Sequence, residues 1–252
     1  MMLPALALAL LVGIALGLLG GGGSILTLPI LTYVAGMDTK SAIAASLFVV
    51  AVTSATGVIT HARAGRVRWR TGLLFGAAGM VGAYGGGRVA AYIPGSVLMV
   101  AFALMMLATA VAMLRGRKPG PALAPASTRR DLPIGKILVE GVVVGVVTGI
   151  VGAGGGFLVV PALALLGGLS MEVAIGTSLV VISMKSFAGF YGHLQHVERL
   201  DWTLTLGVTA VAVAGSFVGA ALAGRVPPQL LRKGFGAFVL LMAAFVLSRE
   251  LL

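Results

Sequence analysis

Residues 20–29 read GGGGSILTLP, and residues 152–161 read GAGGGFLVVP, the same break carried 132 positions along an otherwise apolar chain. A glycine run interrupts what would otherwise be a membrane helix, and it does so at two equivalent places. Gly/Pro-interrupted apolar segments at matching positions of two halves are the sequence pointer to a transporter's binding site. The pattern reads as an internally duplicated membrane transporter.

The duplication extends well beyond the breaks. At an offset of 132, Gly22, Gly23, Pro29, Gly36, Ser46, Leu47, Ser54, Gly57 and His61 match Gly154, Gly155, Pro161, Gly168, Ser178, Leu179, Ser186, Gly189 and His193. One extra residue follows His193, and the offset becomes 133: Trp69, Gly82, Gly86, Pro94 and Phe102 then match Trp202, Gly215, Gly219, Pro227 and Phe235. A Pro-, Gly- and Arg-rich stretch, residues 115–136, separates a first repeat (1–114) from a second (137–252) and reads as a linker.

Composition sets the solvent. Hydrophobic residues make up 59% of the 252 and charged residues 10%, against roughly 25% charged in an ordinary soluble domain. Lipid must cover much of this surface, and the 38 glycines fit helices packed closely in a bilayer. The absence of cysteine excludes disulfides and thiolate metal sites. The net charge of +11 does not indicate nucleic acid, because ten of the 18 basic residues crowd into two short loops: Arg63, Arg66, Arg68 and Arg70, then Arg115, Arg117, Lys118, Arg129, Arg130 and Lys136. That is the positive-inside signature of cytoplasmic loops, which puts the linker in the cytoplasm. The first apolar run lacks the basic n-region of a secretory signal, and its counterpart lies inside the chain, so it is expected to be a retained helix.

These features predict an all-α multi-pass membrane protein with two homologous repeats of five apolar segments each. The segments are 3–19, 24–36, 41–60, 71–92 and 96–114, then 137–151, 155–168, 173–192, 202–224 and 228–248. Three in each repeat approach the ~20 residues of a full span. The second, at about 13, is too short to cross unaided and belongs with the first as a Gly-broken pair. If that pair crosses once, the repeats run parallel, four crossings each, and basic residues divide 12 inside to five outside. If it folds back as a hairpin, the repeats are inverted and the division is 13 to four. The inverted form is favoured, because it brings both breaks to the midplane from opposite sides.

Irregular backbone at that depth must be buried in protein or line a wet cavity. Helices beginning at Ser24 and Gly156 would aim their N-terminal amides at a shared guest, which makes an anion site. Tight helix crossing is the plainer use of the same glycines. The candidate substrate contacts are Gly22, Gly23, Ser24, Ser46, Gly154, Gly155, Gly156, Thr177, Ser178 and Lys185. Lys185 falls mid-span, where a charge is a functional hypothesis by default. Glu140 is its natural ion-pair partner, and equally a candidate proton carrier. His61 and His193 are expected to cap helices or sit at the headgroups, Trp69 and Trp202 to anchor at the interfaces, and Gly82xxxGly86 and Gly215xxxGly219 to pack helices. GIVGAGGG superficially matches a dinucleotide fingerprint but lacks a soluble βαβ setting. No catalytic trio, paired carboxylates or ligand cluster points to an enzyme, a metal or a cofactor.

The breaks, the segments AIAASLFVV and AIGTSLVVI that follow them, and SFAGFYGHL closing the third span of the second repeat resemble the TauE/SafE sulfite exporter family of bacterial permeases, over nearly the whole chain. The resemblance implies a plasma (inner) membrane permease, driven by an ion gradient, for small sulfur-containing or organic anions such as sulfite, sulfoacetate or sulfonates. Ser24 stands where the second break has Gly156, which makes the half-sites chemically unequal. The expected partners are the small anion and the bilayer, with no nucleic acid and with a homo-oligomer left open. The alternative of another class is a membrane assembly subunit with no pathway of its own.

Overall fold

A computed structural model describes residues 2–20, 22–115, 134–151, 156–166, 168–194, 197, 200–223 and 225–251. Residues 116–133, most of the expected linker, and the candidates Gly154 and Gly155 lie outside the described residues. The described chain is all helical: α1 (Met2–Leu19), α2 (Gly22–Pro29), α3 (Thr39–Arg63), α4 (Trp69–Ala90), α5 (Gly95–Arg115), α6 (Ile134–Val151), α7 (Gly156–Pro161), α8 (Met171–Leu194), α9 (Trp202–Ala223) and α10 (Pro228–Leu251). Helices α3, α8 and α9 are long and apolar enough to cross a membrane by length and composition, and shorter apolar helices accompany them.

Local chemistry explains the segmentation. Pro29 ends α2 and Pro161 ends α7, and each is followed by a π-helical turn, Ile30–Val34 and Ala162–Leu166. A proline donates no N–H and crowds the carbonyl four residues back, so the hydrogen-bond ladder slips to a longer register. Both turns then close alike. Gly36 (φ 74°) and Gly168 (φ 64°) adopt the left-handed conformation, while Met37 N–H donates to Leu31 O (3.0 Å) and Leu169 N–H to Leu163 O (3.1 Å). That bond, one residue wider than the usual 6→1 closure because it follows a π turn, is a glycine-terminated helix stop. Asp38 starts α3 by accepting from the amides of Lys40 (3.0 Å) and Ser41 (3.2 Å). Trp69 and Trp202 open α4 and α9, each about half exposed.

The short second segment folds back. The turn at Ile30–Val34 packs against α1, whereas a straight continuation would carry it some 16 Å beyond the end of that helix at 1.5 Å per residue. Helix α1 and the α2 segment therefore form a hairpin, and α2 touches α7.

Glycine faces weld the long helices. A Cβ on Gly82 would strike the Val142 carbonyl and lie 2.7 Å from Val146 N, and one on Gly149 would strike Ala83 O. On the other side, Gly17 and Gly219 press on the backbones at Ser216 and Ile14 in the same way. Helix α4 thus packs on α6, and α1 on α9, at the backbone-to-backbone distance only glycine permits.

The order of contacts gives the directions. Gly79 meets Gly145 and Ala83 meets Gly149, so α4 and α6 are parallel; Gly13 meets Ala212 and Gly17 meets Ser216, so α1 and α9 are parallel too. Along α3 and α8 the order reverses: Leu47 lies against Gly189 and Gly57 against Leu179. Between these contacts Ser183 Oγ donates to Ala51 O (3.1 Å). Helices α3 and α8 therefore cross antiparallel at the centre of the molecule.

Candidate functional site

The first break rests on the opposite half. Gly20, at φ 73°, turns the chain out of α1, and its amide donates to Leu16 O (2.9 Å). A Cβ there would come within 2.9 Å of Ser178 Oγ and 3.0 Å of Ile175. Gly22 and Gly23 begin α2, followed by fully buried Ser24 and nearly buried Thr27. Across the contact between the short helices, Gly156 opens α7 and is itself buried.

Lys185 is the one charged side chain buried among the described residues, at 1% exposure. Its stem passes Gly79 of α4, whose Cβ would lie 3.7 Å from Lys185 Cβ. Its ammonium donates to Thr148 Oγ1 (3.1 Å), and Thr148 in turn donates to Gly145 O (3.2 Å). Among the described residues the ammonium meets Thr148 and not Glu140, so the expected ion pair is not formed. Glu140 is partly buried, on α6 eight residues before Thr148 and about 12 Å along the axis. Thr148 stands one turn before the second break. Among the described residues, then, the Lys185 side chain is held by a neutral hydroxyl and by no carboxylate.

Helix α3 carries Ser46, Thr53 and Ser54, all fully buried, with hydroxyls that have no hydrogen-bond partner among the described residues. Native interiors rarely leave such groups idle, and each calls for an explanation. Ser46 and Thr53 are seven residues apart on one face of the helix. The other candidates are engaged. Ser178 Oγ donates to Ile175 O (2.7 Å), which commits its proton, and Thr177 Oγ1 accepts from the Arg68 amide (3.0 Å), which ties down the α3–α4 loop. Ser46 can donate to a guest. Ser178 as it stands can only accept, and Thr177 serves the loop.

Three residues carry more than their sequence suggested. Thr148 is one more hydroxyl in an apolar run; its position one helical turn before GAGGG was the available signal. His61 and His193 are buried, at 1% and 5% exposure. His61 Nε2 bonds Gly17 O (3.1 Å) and His193 Nε2 bonds Gly149 O (2.8 Å). Each histidine thus caps a helix other than its own.

Comparison with known proteins agrees with this architecture. The sequence profile described as Sulfite exporter TauE/SafE matches residues 5–246. A probable membrane transporter protein of Xylella fastidiosa (strain 9a5c) is 35% identical over 243 residues, covering 95% of this chain and 92% of its own length. Probable membrane transporter proteins of Bacillus subtilis (strain 168) and Methanocaldococcus jannaschii are each 26% identical, covering 88% and 96% of this chain and 90% and 95% of their own. No solved structure matches. A profile running almost from end to end, together with relatives of matching length, establishes that this multi-pass membrane protein belongs to the TauE/SafE sulfite exporter family, a family of membrane transporters and not of enzymes.

Proposed function

We propose that the chain is a secondary, ion-gradient-coupled permease for small sulfur-containing or organic anions such as sulfite, sulfoacetate or sulfonates. The anion binds between the two glycine breaks, against Lys185. The observation that carries this reading is the Lys185 ammonium, buried beside the second break with a neutral Thr148 oxygen as its partner. A buried charge is retained against its desolvation cost only when something compensates it. A mobile anion supplies that compensation, and the idle hydroxyls of Ser46, Thr53 and Ser54 supply further donors. Amides opening α2 and α7 add the positive end of each helix dipole.

In this reading the repeats, 1–114 and 137–252, are inverted and joined by a cytoplasmic linker at 115–136. The antiparallel crossing of α3 and α8 and the fold-back of α2 on α1 support it, because a hairpin gives each half an odd number of crossings. Glu140 is the proton-coupling candidate.

The test is counterflow of labelled sulfite into proteoliposomes of the purified chain, beside thermal shifts with sulfite, sulfoacetate, sulfate and carboxylates. Sulfite exchange with a saturable shift is expected. Absence of both across the whole panel would remove the anion reading.

A further inference from the structure

The two histidine contacts are the same device built twice. His61 and Gly17, like His193 and Gly149, are 44 residues apart, and the pairs are offset by 132. Each carbonyl lies in the last turn of its helix, α1 or α6, where intrahelical amide donors run out. Each glycine also comes just before a break. A carbonyl only accepts, so each ring must carry its proton on Nε2. For His61 that leaves Nδ1 as a buried acceptor with no partner, so the ring's one described side-chain bond is the one to Gly17. The ends of α3 and α8 reach these positions because they run alongside α1 and α6.

We infer that His61 and His193 are positioning residues that latch the last turns of α1 and α6, from which the chain enters each glycine break. Neither ring touches the guest. Each fixes the carbonyl after which the chain leaves the helix, and so fixes where the α2 or α7 amides point. Release of one latch frees one break and leaves the other in place, which gives each half its own point of opening. The consequence for transport rests on the function proposed above; the latch itself is measurable without any cargo.

The chain has no cysteine, so single-cysteine reporters are clean. Leu28 in α2 and Val160 in α7 are equivalent positions, both fully buried. In the full-length protein, His61→Ala is expected to speed N-ethylmaleimide labelling of an L28C reporter on the order of ten-fold, the scale of one lost buried hydrogen bond. Labelling of V160C should change by less than about two-fold, and His193→Ala should give the reverse pattern. His61→Gln and His193→Gln keep an N–H near the carbonyl and should label at native rates. Unchanged L28C labelling in H61A, equal acceleration of both reporters, or a glutamine variant as fast as alanine would each overturn the latch. If the alanine variants do not fold, asparagine replaces alanine, since its shorter amide does not reach. Fast asparagine with native-rate glutamine then supports the latch, and equal rates overturn it. Latch-dependent labelling in a chain without sulfite exchange keeps the latch and removes the transport reading.

Discussion

Lys185→Met separates a functional charge from a structural one because the two readings differ in the sign of the stability change. The ammonium is buried at 1% exposure, and its one described partner is the Thr148 hydroxyl. Methionine fills similar volume without charge, and Thr148 keeps its own bond to Gly145 O, so no donor is stranded. Replacing buried ionic groups by apolar ones of similar size is often stabilising by about 1–4 kcal/mol. At roughly 2–4 °C per kcal/mol for a chain of this size, the ligand-free melting temperature should rise by about 2–16 °C. A residue held for structure would lower it.

Binding moves the other way. A hydrogen bond to a charged group contributes about 1.5–3 kcal/mol, so apparent sulfite affinity should fall roughly 12- to 140-fold at 1.4 kcal/mol per decade. The assay is thermal unfolding of purified K185M titrated with sulfite, beside counterflow in proteoliposomes. A variant that melts lower without ligand yet responds to sulfite at the native concentration would refute the reasoning, because the ammonium would then be serving the fold and not the guest.

Four further outcomes follow from the same geometry. Gly82→Leu drives a side chain into the α6 backbone at Val142 and Val146. It should cost about 3 kcal/mol by overpacking, read as a melting temperature lower by about 6–12 °C. Glu140→Gln is expected to keep sulfite counterflow but abolish accumulation driven by a pH gradient; intact accumulation would dismiss the proton-coupling role. In sealed inside-in vesicles, an impermeant thiol reagent should label R249C and spare R225C if the repeats are inverted, and the opposite if they are parallel. Moving the ammonium with T53K/K185T should not restore the anion response, because Leu16 stands where the second half has Thr148; recovery would show that the charge works without a hydroxyl partner.

Much of the fold was legible because its causes are local. Two glycine runs, Pro29 and Pro161, and the stops at Gly36 and Gly168 act through main-chain geometry that one residue type dictates, so the breaks and the segment boundaries follow from the letters. The sense of the α1–α2 connection does not. A run of glycines says that a helix ends, not the angle at which the chain leaves, and a 13-residue segment fits a broken span or a hairpin equally well. The burial of the histidines was hidden for a related reason. His61 lies among Arg63, Arg66 and Arg68, company that reads as a wet interface. What buries it is the α3–α4 loop folded over the start of α8, where Gly176 admits the Arg66 carbonyl and Thr177 takes the Arg68 amide. Those are contacts across more than a hundred residues. Thr148 was missed because a lone threonine in a membrane helix ordinarily bonds its own preceding turn, which it also does here.

The duplication is faithful in backbone and unfaithful in charge, and that contrast constrains the proposed mechanism. Both halves keep the break, the π turn after proline, the glycine stop and the histidine bond. Only the second keeps an ammonium: Thr53 stands where Lys185 does, and Leu16 where Thr148 does. As a result α8 grips the last turn of α6 at two consecutive residues, Thr148 through Lys185 and Gly149 through His193, whereas the described side-chain bond from α3 to the last turn of α1 is that of His61. Equivalent backbones can exchange roles during alternating access, but a charge on one side cannot. If the anion pairs with Lys185, it stays with the second half throughout the cycle, and the first half, held at fewer points, is the one that moves around it. The reporter pair tests this directly, since L28C in H61A should then open further than V160C in H193A, where the lysine bond remains. Equal opening would mean that the extra contact stabilises the guest without biasing the motion.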